Sequence, residues 1–123
     1  MGRIRGDLPD RTFEYAVAIL DLADRLPNVT KGWEIGRQLI RSGTSIGANV
    51  READNALTDA EFAHRCSIAR KEAAETHYWL QLCRRTEMLA GEEVHEAIRE
   101  ADELARILSS IVKATQQHMR SGK

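Results

Sequence analysis

The sequence contains few residues that interrupt helices or cross-link a chain. Two of its 123 residues are prolines, Pro9 and Pro27, and two are cysteines. With no later proline, long helices are permitted from residue 28 onward. Cys66 and Cys83 fall in one predicted helix, whose rise separates them by roughly 25 Å, so they cannot form an intrachain disulfide. We interpret both as buried small hydrophobic residues.

Long apolar runs and strand patterns are absent as well. No apolar segment approaches the roughly 18–20 residues that span a bilayer, and the N-terminal residues lack the apolar segment of a signal peptide. We therefore expect a cytoplasmic protein without a membrane partner. No stretch alternates apolar and polar residues with β-branched enrichment, and neither Asn-Gly nor Asp-Gly occurs, which predicts an all-α fold.

Charge of one sign is not in excess either. The chain has 18 Lys and Arg residues against 19 Asp and Glu residues, a formal net charge of −1. Bulk charge therefore does not indicate nucleic-acid binding, which would need a local basic patch. A hydrophobic fraction of 42% is enough for a core, so we predict a single domain over residues 1–123.

Apolar residues recur at three- and four-residue spacings in four segments. This periodicity predicts helices at about residues 10–26, 31–57, 59–89 and 92–118. Asp10 is the expected N-cap of the first helix, Thr58 and Glu61 form a capping box before the third, and Gly91 is a helix breaker or C-cap. Short connections make successive helices antiparallel, so we predict an antiparallel up-down-up-down four-helix bundle.

The first helix carries two apolar stripes, although packing in a bundle requires only one. One stripe consists of Phe13, Ala16, Val17, Leu20 and Ala23, and the other consists of Tyr15, Ile19, Leu22 and Leu26. The apolar surface is therefore wider than the core needs. We expect this helix to contact another subunit.

Residues 43–47, GTSIG, match the G-x-S-x-G signature of a serine-hydrolase nucleophile elbow. That elbow works as a strained turn between a strand and a helix, whereas Ser45 falls inside a predicted helix, so we reject it as a nucleophile. Gly43 and Gly47 instead make a low surface that allows close packing of a neighbouring backbone.

Two Glu-x-x-His motifs, Glu61 to His64 and Glu92 to His95, match half of a di-iron pattern of four-helix bundles. Each motif begins a different helix of an antiparallel pair, which places the two roughly 40 Å apart. They cannot share a metal pair. We predict no metal, no cofactor and no catalytic residue.

A polar stripe on the second helix is a better candidate site. Arg41, Ser45, Asn49 and Glu52 share one face, and antiparallel pairing brings that face level with three residues of the third helix, Lys71, Glu72 and Glu75. The expected result is an interhelical polar network. It serves either as a set of structural ion pairs that fix helix register or as a surface for a ligand or nucleic acid.

The same arrangement collects basic residues at one end of the bundle. This end joins the start of the first helix to the end of the fourth, and its candidate nucleic-acid-binding residues are Arg3, Arg5, Arg11, Arg51, Lys113, Arg120 and Lys123. Nearby acidic residues dilute the patch. The alternative is an ordinary solvated charged end.

Two segments, RQLIRSGTSIGANVREADNA and EFAHRCSIARKEAAETHYWLQLC, resemble the bacterial family of 23S rRNA intervening-sequence proteins. The similarity extends from about Arg11 to His118. The positions that carry it are Arg41, Ser42, Ser45, Ile46, Asn49, Glu52, Phe62, Lys71, Glu72, Glu75, Thr76, Tyr78, Trp79 and Leu80.

This resemblance implies a four-helix bundle that assembles as a homopentamer and has no enzymatic activity. The family is similar to accessory proteins of diversity-generating retroelements, which bind nucleic acid and a reverse transcriptase. We therefore expect a non-enzymatic oligomeric accessory protein that binds nucleic acid, with RNA favoured over DNA, through arginine-rich surfaces. The alternative is a protein–protein adaptor without a nucleic-acid role.

Overall fold

The computed structural model describes residues 2–122, which form four α-helices and, within that range, no strand. The helices are α1 (Leu8–Ala23), α2 (Thr30–Asp54), α3 (Asp59–Arg85) and α4 (Glu92–Ser121). The prediction of an all-α fold is confirmed. Helix ends differ from the predicted positions by at most four residues: the first three helices end three or four residues early, and α4 ends three residues late.

The ends of α1 show why the predicted boundary moved. The helix begins at Leu8 with Asp7 as N-cap, so the prediction that Asp10 is the cap is wrong, and Asp10 lies inside the first turn. Pro9 fits there because the first helical residues need no hydrogen-bonded N–H. A negative charge in the first turn still complements the helix dipole.

The connections around α3 follow the sequence signals in part. Thr58 caps the helix and accepts a hydrogen bond from the Glu61 N–H at 3.1 Å, as the capping box predicts. At the other end, the left-handed position belongs to Glu87 (φ 62°), and Gly91 (φ 104°) is the N-cap of α4. Gly91 is therefore not a C-cap of α3, although its positive φ explains why glycine occupies it.

Every pair of neighbouring helices is antiparallel. Residues later in one helix contact residues earlier in the other. Between α2 and α3, Arg41 contacts Glu75 whereas Asn49 contacts Arg65. The other three pairs show the same order. Between α1 and α2, Thr12 lies beside Gly47 and Leu26 beside Gly36. Between α3 and α4 the contacts are Asp59 with His118 and Arg84 with His95, and between α1 and α4 they are Arg11 with Glu100 and Arg25 with Glu93.

The core selects one of the two apolar stripes of α1. Tyr15, Ile19 and Leu22 are buried, whereas Phe13 and Leu20 of the other stripe remain exposed. The Tyr15 hydroxyl donates to the Ala97 carbonyl at 2.7 Å, which satisfies the polar tip of a buried ring. The bundle therefore leaves one apolar stripe of α1 without a partner.

Candidate functional site

Arg3, a predicted nucleic-acid contact, is occupied within its own chain. Its guanidinium group pairs with the Asp59 carboxylate, donates to the Ala56 carbonyl at 3.3 Å and lies 5.2 Å from the centre of the Phe62 ring. These contacts tie the N-terminal segment to the α2–α3 connection. Arg3 has a structural role in this arrangement.

Arg11 is also engaged, in a two-pronged ion pair. Its Nε and Nη2 atoms donate to the two carboxylate oxygens of Glu100 at 2.6 and 2.8 Å. The hydrogen bond that Arg11 donates to Glu100 raises the pKa of Arg11 above its ordinary value. Arg51 lies over the Phe13 ring, with 5.7 Å between the guanidinium carbon and the ring centre.

Three predicted contacts at this end remain open to solvent. Arg5, Lys113 and Arg120 are exposed, and among the described residues none of them forms an ion pair. The seventh residue of the predicted patch, Lys123, lies outside the described residues. We call Arg5, Lys113 and Arg120 the basic end.

Arg41 joins α2 to α3 at the place that the polar stripe predicts. Its guanidinium group pairs with Glu75 and lies 3.4 Å from the Glu72 carboxylate. The hydrogen bond that Arg41 donates to Glu75 raises the pKa of Arg41. Glu72 is the most enclosed of the three, since 17% of its side chain is exposed.

The other stripe residues bond mainly within α2. The Ser45 hydroxyl donates to the Arg41 carbonyl at 2.6 Å, and the Asn49 amide donates to the Ser45 carbonyl at 2.9 Å. Arg65 of α3 completes this side by donating to Asn49 Oδ1 at 3.2 Å. Among the described residues, the structure gives no side-chain hydrogen bond to Glu52 or Lys71, which are exposed.

Three residues of this region, Arg65, Ser42 and Thr76, were not assigned to the polar network from the sequence. Arg65 carries a buried Nε atom that has no hydrogen-bond partner among the described residues. Ser42 and Thr76 are fully buried, and the Thr76 hydroxyl donates to Ser42 Oγ at 2.8 Å. The available signal was their position, because both small polar residues fall on the apolar stripes of α2 and α3.

The two glycines of the GTSIG segment face α1. A Cβ atom on Gly43 would lie 2.7 Å from Ile19 Cγ2, and one on Gly47 would lie 3.2 Å from the Thr12 carbonyl oxygen. Both distances are tighter than ordinary van der Waals contact. The glycines thus allow α1 and α2 to approach closely, and Ser45 points to the other side of α2, toward α3.

Beside this close contact lies an exposed apolar area. It consists of Phe13, Val17, Leu20, Trp33 and Ile40, and we call it the α1–α2 face. Trp33 is 65% exposed and Phe13 is 56% exposed, unusually high values for large apolar side chains. An apolar area of this kind marks an interaction site.

Two grooves shape the α1–α2 face. One, of about 700 Å³, is lined by Leu20, Trp33 and Ile40 together with Gly36, and the other, of about 360 Å³, is lined by Phe13 and its neighbours. Their floors contain small residues, so side chains of another molecule can enter. The face is concave and can receive a complementary surface.

The described part of the chain shows neither a metal-binding group of side chains nor an ionised thiol. Within residues 2–122, no three His, Cys, Asp or Glu side chains form a group that could hold a metal ion. Burial raises the pKa of both thiols, Cys66 and Cys83, to about 11, so they are neutral at neutral pH. None of the helices in this range is long and apolar enough to cross a membrane.

Comparisons with known proteins agree with this architecture. Residues 7–110 match the family model described as 23S rRNA-intervening sequence protein. A crystal structure of a protein of unknown function from the S23 ribosomal protein family of Bacteroides thetaiotaomicron is 43% identical, with a TM-score of 0.79 over 85% of this chain and 97% of that chain. No curated protein matches the chain.

Proposed function

Because the chain belongs to the 23S rRNA-intervening sequence protein family, we propose that it is a non-enzymatic, self-associating accessory protein of the cytoplasm. Copies of the chain associate through the α1–α2 face. The exposed apolar side chains of that face, Trp33 and Phe13 above all, are the observation that carries the proposal. Two unbridged thiols suit a reducing compartment.

Burial of the α1–α2 face supplies the driving force for association. A large aromatic or aliphatic side chain contributes about 1.5–3 kcal/mol when it moves from water to an apolar contact. Several such side chains share this face, and aromatic residues are the usual anchors of protein interfaces. A second copy is the favoured occupant, because most soluble oligomers are built from identical chains.

The resemblance to pentameric relatives adds a geometric condition. In a closed ring, each interface joins two different surfaces of the chain, so the α1–α2 face of one copy meets another surface of the next copy. The face is not self-complementary in such a ring. A closed ring has as many interfaces as subunits, so each copy needs to contribute only one α1–α2 face.

The self-association proposal is tested with a matched pair of substitutions. Leu20→Lys places a charge in the α1–α2 face, whereas Leu57→Lys makes the same change at an 89% exposed position in the α2–α3 connection. We expect light scattering to give a smaller assembly for Leu20→Lys and an unchanged one for Leu57→Lys. Equal masses for both variants and the unmodified chain would contradict the proposal.

The basic end favours a second function, the binding of RNA by the assembled protein. Arg5, Lys113 and Arg120 are exposed and lie where the start of α1 and the end of α4 share one end of the bundle. One copy offers few phosphate contacts, but an assembly repeats them in every subunit. Repetition strengthens binding because each phosphate contact releases counterions.

The RNA proposal predicts binding that weakens as salt rises. We expect a labelled RNA hairpin to bind the assembled protein at about 50 mM salt and to dissociate at about 200 mM. Replacing Lys113 and Arg120 by Ala removes this binding, whereas the control Arg84→Ala, Arg85→Ala changes the same charge at the other end of the bundle and leaves it intact. RNA binding that survives the first pair of substitutions would refute the basic end as its site.

The position of the GTSIG motif supports a non-enzymatic role. The Ser45 hydroxyl donates to a carbonyl of its own helix, and no histidine contacts it among the described residues. A nucleophile needs an adjacent base that is itself oriented by a third group. GTSIG therefore acts through its glycines.

A further inference from the structure

A third groove lies on the opposite flank of α1, where it faces α4. Its volume is about 420 Å³, and Tyr15, Ala18, Leu22 and Ala97 supply its apolar part. These two helices make the fewest contacts of any neighbouring pair, which leaves the groove open between them. We call it the acidic cleft.

Charge distinguishes the acidic cleft from the rest of the molecule. Five carboxylates and two guanidinium groups line it, a net charge of −3, whereas the whole chain carries −1. The remainder of the protein is therefore net positive. A concave site of one sign attracts ligands of the other sign.

The two ends of the acidic cleft already hold guanidinium groups. Arg11 donates to both carboxylate oxygens of Glu100 at 2.6 and 2.8 Å, and Arg25 pairs with Glu93. Between these pairs the cleft keeps carboxylates that form no ion pair among the described residues, including Glu14. The chain's own arginines show which chemistry fits the walls.

We propose that the acidic cleft binds an arginine-bearing amphipathic helix of a partner protein. Its arginines would meet Glu14, Asp21 and Glu96, and its apolar residues would cover the floor around Leu22. Arginine suits this site because its guanidinium group forms two parallel bonds with a carboxylate while its stem packs on apolar atoms.

The length of the cleft favours a polypeptide over a small cation. Its lining on α1 extends from Arg11 to Leu22, which corresponds to roughly 17 Å of helix. A helix in a groove presents residues at three- and four-residue spacings along such a length. The cleft thus matches several side chains of one segment at once.

The test uses a fluorescein-labelled helical peptide of about 15 residues with Arg along one stripe and Leu beside it. Its control has Gln in place of every Arg. Two matched protein variants accompany it, Glu14→Gln with Glu96→Gln inside the cleft and Glu34→Gln with Glu52→Gln outside it. All four carboxylates are exposed, so neutral replacements leave the fold intact.

We expect fluorescence anisotropy to show binding of the arginine peptide and not of its glutamine analogue. The cleft variant should bind about five- to tenfold more weakly, and the control variant should match the unmodified protein. NMR shifts of the Ala18 and Ala97 amides should locate the peptide in the cleft.

Three results would overturn the proposal. They are no binding of the arginine peptide, equal weakening in both variants, and displacement of the peptide by spermine at equal charge, which would make the cleft a site for small cations. Glu14 and Glu96 lie outside both grooves of the α1–α2 face. Loss of peptide binding can therefore be separated from loss of self-association.

Discussion

The two sides of α2 differ in how far their side chains find partners within the chain. Toward α3, polar groups find partners within the chain, as in the Ser42–Thr76 hydrogen bond and the ion pairs of Arg41. Toward α1, the helices pack closely at Gly43, yet the apolar rim beside that contact remains open to water. Within the described residues, the buried polar side-chain groups of α2 and α3 find partners apart from the Arg65 Nε and Trp79 Nε1 atoms, whereas the apolar side chains of the α1–α2 face do not.

This difference indicates which side of α2 is the candidate interaction surface. A polar network that is satisfied internally contributes register and stability, and its residues have little capacity left for a ligand. An apolar rim without a partner costs solubility unless something covers it. The α1–α2 face, which is the unfinished side, is therefore the better candidate for assembly than the motif-rich polar side.

The largest expected effect comes from breaking the close approach on the α1 side. Gly43→Val puts a branched side chain where even a Cβ would lie 2.7 Å from the fully buried Ile19. We expect urea unfolding to show a loss of about 3 kcal/mol from overpacking.

Gly36→Ala is the control for that substitution, because its Cβ would meet Leu26 at 3.4 Å, an ordinary contact. The alanine variant should be unchanged or up to about 1 kcal/mol more stable, since alanine favours the helix. A loss for Gly36→Ala as large as that for Gly43→Val would contradict the interpretation that the close approach of Ile19 to Gly43 sets the cost.

A smaller loss is expected on the α3 side. Thr76→Val removes the hydroxyl that donates to Ser42 Oγ, which leaves a buried polar atom with a lost partner. We expect a loss of about 1–2 kcal/mol in urea unfolding. In Thr76→Val with Ser42→Ala the loss should be less than the sum of the single changes.

Thr44→Val makes the same chemical change on the α1 side of α2. The Thr44 hydroxyl bonds only to carbonyls of its own helix and is partly exposed. We expect little change in its free energy of unfolding. A loss as large as that of Thr76→Val would remove the distinction between a satisfied polar side and an apolar side.

The smallest effects concern one arginine on each side. Arg41→Ala removes exposed ion pairs, so we expect a loss of about 0.5 kcal/mol that disappears as salt rises. Arg51→Ala removes a contact with the Phe13 ring, a loss of similar size that salt changes less. Urea unfolding at low and high salt distinguishes the two losses. An identical salt dependence for Arg41→Ala and Arg51→Ala would contradict the proposed difference between the two sides of α2.

Local chemistry made much of the fold predictable. Apolar periodicity gave the four helices, and the Thr58 cap follows from a side chain and an N–H three residues apart. The predicted level of Arg41 with Glu72 and Glu75 follows from antiparallel pairing, and the structure brings these three together. The cap depends only on residues close in sequence, and the level of α2 with α3 depends only on the position of the connection between them.

Other features depend on contacts that the sequence does not order. Periodicity found both stripes of α1 but could not choose between them, because burial of Ile19 depends on Gly43 in another helix. Arg3 and Arg11 were predicted to bind nucleic acid, and their partners Asp59 and Glu100 lie far along the chain. A basic residue cannot be assigned to a ligand before its own chain's carboxylates are placed.

The mass of the unmodified protein in solution tests the central claim most directly. Measured by light scattering across a range of micromolar concentrations, it should be a multiple of the 13.8 kDa chain mass. Together with a smaller assembly for Leu20→Lys, that result would place another copy on the α1–α2 face. A mass of 13.8 kDa at every concentration would contradict the account.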